Sequence, residues 1–552
     1  VKFATNATIL PLRFRQAEQI SVGTGNGKVA IATDLAVYYP LGAMRALSNL
    51  LADERLRLGD LLPPAAAQPD APALVTGGEI VTRAGLEARV AAARDLLVAH
   101  GVRAGDRVMI VQENAPAAIA LFLGTLALDA WAVPVNARLS VREVAAVREL
   151  CDPRLVLHLP DLSPDAALHA DAAAAQPLDA PLLGRLAVEP VRDSRAEPAG
   201  LPAGRQVAAM IFSSGSTGRP KGIMLTHRNL AWNTAAVMQE RRYGEADRVY
   251  GIAPLTHSLG LGGILLPTLA AGGIYEVVQR LDIEDLAAAV TRRGVTVLNG
   301  PPALYARLLE HAGRAALDLS RNTLRILAVG SAPLDPLLKA RVEAAFGVPL
   351  CNGYGVTEAG PSIAFGRPGA PAPGLSVGPP LPLVKTRIVD AVGRDLPPGR
   401  EGELWVRSPG VMLGYWRDEA ATNAAFAEGG WLRTGDIATM DGARNLSILG
   451  RTTDLIIRGG FNIHPAEIEN LIAAQPGIAL AAVVGRKAGY DEEIIAFVQP
   501  APGASPDPAA IAAVLARDLA PYKRPARIVL VPALPVSPTG KVQKARLAEL
   551  LT

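Results

Sequence analysis

The 552-residue chain is too long for one ordinary hydrophobic core, so two or more domains are expected. Half of its residues are apolar, 19% are charged and the net charge is +3, with Lys and Arg scattered along the chain. That balance excludes a disordered polymer and a basic nucleic-acid-binding arm. The two cysteines, Cys151 and Cys351, are far apart and exclude a disulfide framework or a zinc set, so they read as small buried thiols in a reducing cytoplasm.

Residues 1–50 are polar, lack clear periodicity and read as an extension of unclear role. Lys2, Arg13 and Arg15 lead into Glu18 and a polar stretch, not into the apolar core of a signal peptide. From Leu56, Ala/Leu-rich helical segments alternate with short Val, Ile and Leu runs. Leu86 to His100 has helical spacing and stops before Gly101, and Val108 to Val111 reads as a buried strand. The alternation predicts an α/β class, with parallel sheets covered by helices. A Pro/Ala-rich zone from Leu159 to Gly204 reads as a loose surface connection. Val249 to Tyr275 is charge-free, but Pro254, Pro267, His257 and six glycines make it a buried wall and not a membrane span. After Ala443 come compact strands and turns, then an α/β segment from Pro465. The expected division is a large N-terminal domain of helix-covered sheets at 51–450 and a small α+β C-terminal domain at 451–552.

The most informative stretch runs from Ile211 to Gly222. The apolar run Val207 to Phe212 delivers the chain into a loop with hydroxyls at Ser213, Ser214, Ser216 and Thr217. Gly215, Gly218 and Gly222 let backbone N–H groups approach a ligand, and Arg219 and Lys221 add positive charge. Donors, bare backbone and cations together suit a polyphosphate better than a flexible surface turn. The loop is not a Walker loop, because Lys221 follows Pro220 and precedes Gly222 with no Gly-Lys-Ser/Thr ending.

Phe212 to Gly222 resembles the signature loop of the adenylate-forming superfamily of acyl-CoA synthetases, peptide-synthetase adenylation domains and luciferases. Further matches follow in order up to Lys541, so the resemblance covers roughly residues 56 to 550. It implies that the large domain binds AMP and adenylates, and that the small domain is mobile. In the run Asn352 to Gly360, a tight turn at Gly353 and Gly355 presents Tyr354, Thr357 and Glu358. Read alone, such a turn could be a strand end with a solvated carboxylate. The resemblance makes Tyr354 the adenine platform, Thr357 a phosphate ligand and Glu358 the Mg2+ ligand. Gly330, Ser331 and Ala332 resemble the adenine-side segment, Asp436 the ribose ligand and Arg451 a second nucleotide contact. His257, which read alone is a core histidine, falls beside the carboxylate and α-phosphate. Thr256-His257 replaces the Asp that amino-acid-activating relatives use, so amino acids are disfavoured as substrates.

In the small domain, Gly459 and Gly460 resemble the wall of the pantetheine channel, and Lys541 the lysine that contacts carboxylate and α-phosphate during adenylation. Tyr490, Tyr522 and Arg524 are weaker candidates for the CoA nucleotide. Thr453, two residues after Arg451, matches the pivot about which the small domain rotates. The resemblance implies an AMP-forming acid–CoA ligase that uses ATP, Mg2+ and coenzyme A. Gly260, Gly262 and Gly263, among Leu261, Ile264 and Leu265, suggest a roomy apolar acyl pocket. A fatty acid is the first expectation, narrowly ahead of an aryl or coumarate-type acid, which the run Thr357 to Pro361 resembles. A ligase that loads a carrier protein, and a binding protein that has lost catalysis, are the alternatives. Retention of Thr357, Glu358, Asp436, Arg451 and Lys541 argues against the last.

Overall fold

The computed structural model describes residues 41–214, 220–458, 461–488, 491–537 and 541–549. Two eight-stranded sheets dominate it. The first runs in the order Ala364–Phe365, Leu350–Tyr354, Ile326–Val329, Val297–Gly300, Arg248–Gly251, Ile274–Val277, Pro72–Thr76, Glu79–Thr82. Its six inner strands are parallel and its two edges antiparallel. The second runs Gly414–Tyr415, Pro220–Thr226, Val207–Ser214, Trp131–Asn136, Arg107–Gln112, Leu155–His158, Gly184–Val188, Gln176–Ala180. Every residue of Arg107–Gln112 is buried, as expected for a strand covered on both faces.

Helices fill the space between and around these sheets. Arg83–Ala99 is capped by the Thr82 hydroxyl, which accepts from Gly85 N–H, and it gives way to left-handed Gly101. Pro116–Leu126 is apolar all round because it feeds two cores: Ile119 and Phe122 face one, Ala118 and Leu121 the other. A smaller antiparallel sheet, Lys385–Val389, Gly402–Arg407 and Trp431–Met440, carries Leu446–Arg451 at its side.

Beyond Arg451 the described strands pair only with one another. Ile456–Arg458 and Phe461–Ile463 form a hairpin, and Ile478–Ala488, Asp491–Pro500 and Arg527–Leu530 form a three-stranded sheet. Helices Pro465–Ala473 and Pro508–Asp518 cover one face of this sheet, and Leu547 of Lys544–Glu549 packs on the other.

Two expectations need correction. The zone from Leu159 to Gly204 is not a loose connection throughout. Ser163 caps the helix Pro164–Ala172, and Gln176–Ala180 and Gly184–Val188 extend the second sheet, with Leu183 and Leu186 buried. Part of the presumed extension, Leu41–Ala52, is a helix whose Leu47 and Leu51 enter the main core. Val249 to Tyr275 forms a buried wall of strand, π-helix Leu259–Leu265 and helix Leu266–Ala270. Among the described residues, no helix is long and apolar enough to cross a membrane.

Candidate active site

The parallel strands of the first sheet end together, and the segments leaving their C-terminal ends meet, the usual place for a ligand in an open α/β sheet. Ile326–Val329 delivers Gly330, Ser331 and Ala332, with Ser331 in the left-handed region at φ 68°. Leu350–Tyr354 delivers the turn that carries Thr357 and Glu358. Gly355 is obligatory here, because a Cβ would lie 1.6 Å from the Pro361 carbonyl oxygen. Asn352 is used internally: its amide donates to the Leu375 carbonyl and its oxygen accepts from Gly353 N–H.

Tyr354 donates a short hydrogen bond through its hydroxyl to Asp436, and Arg451 pairs with the same carboxylate at 3.1 Å. Asp436 and Arg451 face each other across paired strands. Burial pushes the Asp436 pKa up, while Arg451, Tyr354 and Lys541 oppose that shift. Thr357 Oγ1 lies 2.8 Å from Ser258 Oγ, so a buried hydroxyl orients the predicted phosphate ligand.

Lys541 comes from the small domain and lies close enough to Arg451, Asp436 and Glu358 to feel their charges. It keeps contact with solvent, although surrounding protein, then Arg451, lowers its pKa. The His257 pKa is lowered to about 4, by burial first and by Lys541 second. Its Nδ1 accepts from Leu259 N–H, which leaves Nε2 to carry the proton of a neutral ring.

Ser213 and Ser214 end the strand Val207–Ser214, and Lys221 lies opposite Ser213 on the antiparallel return, with its Nζ 4.8 Å from the Tyr415 ring centre. Gly215, Ser216, Thr217 and Gly218 lie outside the described residues, as do Gly459, Gly460 and Tyr490. Of the other CoA candidates, Arg524 donates to the carbonyls of Leu519 and Ala516, at the end of the preceding helix, and Tyr522 packs on the small-domain core. Thr453 is exposed in the turn Thr452–Asp454.

The three pocket glycines are buried, and protein fills the direction in which each would carry a side chain. A Cβ at Gly260 would lie 2.2 Å from the Pro254 carbonyl oxygen, at Gly263 2.9 Å from Leu259 and at Gly262 3.0 Å from Pro361. Close packing requires glycine at these positions.

A carboxylate that a cation can reach is present. Glu358 accepts from the Tyr415 hydroxyl at 3.0 Å, and no ion pair among the described residues neutralises it. The described residues contain no cluster of three or more His, Cys, Asp or Glu side chains able to cage a metal. One carboxylate without an ion-pair partner fits Mg2+, which takes most of its oxygens from phosphates and water. Tyr415, Ser258 and the buried Asn233 escaped the sequence reading. For Tyr415 a signal existed in the run Gly414-Tyr415-Trp416, an aromatic pair after a glycine.

The sequence pattern of the family described as AMP-binding enzyme matches residues 63–416, and that of the AMP-binding enzyme C-terminal domain matches residues 467–541. The chain belongs to the AMP-binding enzyme family. It is an AMP-forming acid–thiol ligase. It is 36% identical to feruloyl-CoA synthase from an Amycolatopsis species over 479 residues, covering 86% of this chain and 95% of that one. It is 34% identical to indoleacetate–CoA ligase from Aromatoleum aromaticum, covering 85% and 92%. Among solved structures it resembles ATP-bound MatB from Rhodopseudomonas palustris, with a TM-score of 0.78, 30% identity and coverage of 90% and 99%. It also resembles O-succinylbenzoate coenzyme A synthetase from Bacillus subtilis in complex with ATP and magnesium ion, with a TM-score of 0.76, 27% identity and coverage of 89% and 98%.

Proposed function

We propose that the chain activates an aryl or arylalkanoic acid with ATP and transfers the acyl group to coenzyme A. The observation that carries the two-step reading is the position of Lys541, a small-domain cation set near Arg451 and near Glu358 and Asp436 of the large domain. In the first step a carboxylate oxygen bonds to the α-phosphorus and pyrophosphate leaves. In the second the CoA sulfur bonds to the acyl carbon and AMP leaves.

Bringing two anions together is an electrostatic problem, solved by positioned donors and cations. Lys541 faces the α-phosphate and the carboxylate, the neutral His257 offers an Nε2–H donor, and Asp436 accepts from the ribose. Thr357 and Glu358 would hold Mg2+ and phosphate, and the metal would supply neutralising charge at the leaving group. Lys221 and the hydroxyl loop that includes Ser213 and Ser214 serve the β- and γ-phosphates. The reducing cytoplasm fits two buried, unpaired thiols, with the Cys151 pKa pushed up to about 12 by burial.

Support for an aromatic acid comes from the feruloyl and indoleacetate specificities in the names of the relatives, which move the reading away from fatty acids. A panel of hydroxycinnamic, arylacetic and fatty acids, scored for AMP release with and without CoA, tests it. Release that depends on CoA and is fastest with an aromatic acid is expected. Faster turnover of a medium-chain fatty acid would return the assignment to the fatty acyl class.

A further inference from the structure

Tyr415 stands where the phosphate strand and the Glu358 turn are tied together. Its two-residue strand pairs with Pro220–Thr226, placing Tyr415 opposite Ile223. On that side Trp416 N–H donates to the Gly222 carbonyl at 2.7 Å and Leu413 N–H to the Met224 carbonyl at 2.9 Å. On the other side Met412 N–H donates to the Glu358 carbonyl at 2.8 Å. One short segment thus holds the backbones behind both Lys221 and Glu358.

The side chain repeats this bridge. The Tyr415 hydroxyl donates to Glu358 Oε1 at 3.0 Å, and its ring lies under Lys221 Nζ at 4.8 Å. The next residue locks the segment in place. The Trp416 ring has the guanidinium groups of Arg107 at 5.3 Å and Arg417 at 4.7 Å, meets Trp131 edge-on and donates from Nε1 to the Leu150 carbonyl.

A neutral donor is the significant choice. A lysine or arginine in this place would fix Glu358 equally well but would cancel its charge. A phenol fixes one oxygen and leaves the carboxylate able to attract a cation. A purely packing role needs the ring but not the hydroxyl.

We propose that Tyr415 is a positioning residue for the metal–phosphate end of the site, holding Glu358 toward the cation and Lys221 toward the phosphates. This rests on the assignment of Glu358 as the metal ligand. Mn2+ with a non-hydrolysable ATP analogue is the probe, read by the electron paramagnetic resonance of free Mn2+. It is applied to the wild type, Tyr415→Phe, Glu358→Gln and the double variant. Tyr415→Phe should weaken Mn2+ binding in the ternary complex by about 10-fold, the scale of a lost outer-shell hydrogen bond. The thermal midpoint of the nucleotide-free protein should be unchanged, and the double variant should bind no more weakly than Glu358→Gln alone. Wild-type Mn2+ affinity in Tyr415→Phe, with weakened affinity in Glu358→Gln, would overturn the proposal alone. Wild-type affinity in Glu358→Gln would overturn the metal assignment and this proposal with it.

Discussion

Burial lowers the pKa of both His227 and His257 to about 4, and only His257 is assigned to the active site. His227 has no exposed surface, and its Nδ1 accepts the Leu58 N–H at 3.2 Å. Burial first, and Arg57 second, lower its pKa from 6.5 to about 4, against the pull of Asp129. Between those two values the unfolded chain binds a proton that the folded chain refuses. Stability is therefore complete above pH 6.5 and falls as pH drops toward 4, by up to about 3 kcal/mol from this residue. In His227→Asn the amide oxygen can still accept from Leu58, but nothing titrates. Its unfolding midpoint should fall less than that of the wild type between neutral and mildly acidic buffer, as checked by differential scanning calorimetry. Equal falls would show that His227 titrates without strain. At this scale the sequence could single out only residues with motif neighbours, such as Glu358 and Asp436, which the structure brings close to Lys541. Tyr415 and Asn233 were not readable because their partners, Glu358 and Ser362, are 57 and 129 positions away.

At the scale of elements, legibility followed periodicity and punctuation. The helix Arg83–Ala99 announced itself by apolar spacing and by Gly101, and the strand Arg107–Gln112 by an unbroken apolar run. The helix Pro164–Ala172 is rich in alanine with little contrast between faces, and the strands Gln176–Ala180 and Gly184–Val188 lie at a sheet edge with mixed polarity, so neither gave a clear signal. The π-helix Leu259–Leu265 is buried, as read from the sequence, and protein packs in the direction that each of its glycines would carry a side chain. Its Gly262 carbonyl accepts from the Asn233 amide at 2.6 Å, and the Asn233 oxygen accepts from Ser362 N–H at 3.2 Å. A side chain at Gly262 would press on Pro361 and on that amide. Gly262→Leu is therefore expected to cost about 1–3 kcal/mol by overpacking. The variant should melt lower and lose rate uniformly across the acid panel. A selective loss of long acids at wild-type stability would instead show that Gly262 borders the acyl site.

The whole molecule joins two units through a narrow connection, and each unit brings groups that the other lacks. Thr453 lies in the exposed turn Thr452–Asp454, where its hydroxyl bonds Asp454 at 3.3 Å and Lys544 approaches Asp454 at 3.9 Å. Across the interface His464 meets Glu401 at 3.1 Å, and Lys541 reaches the charges at Glu358 and Asp436. This arrangement sets Lys541 beside Arg451, Asp436 and Glu358, the pose that the proposed adenylating step would need. Thioester formation is assigned to Gly459 and Gly460 on the same small domain, so the resemblance implies a rotation that exchanges the two. If Thr453 is that pivot, its β-branch would restrict it, and Thr453→Pro would fix φ and favour the pose seen here. Thr453→Pro is expected to keep ATP–pyrophosphate exchange and to lose most thioester synthesis. Lys541→Ala should do the reverse, reducing acyl-adenylate formation by about 100-fold or more, as for a lost electrostatic stabiliser. It should still make thioester from supplied acyl-adenylate and CoA. Both half-reactions measured separately in both variants decide the matter. Equal losses in the two half-reactions of Lys541→Ala would rule out a lysine that serves one pose only.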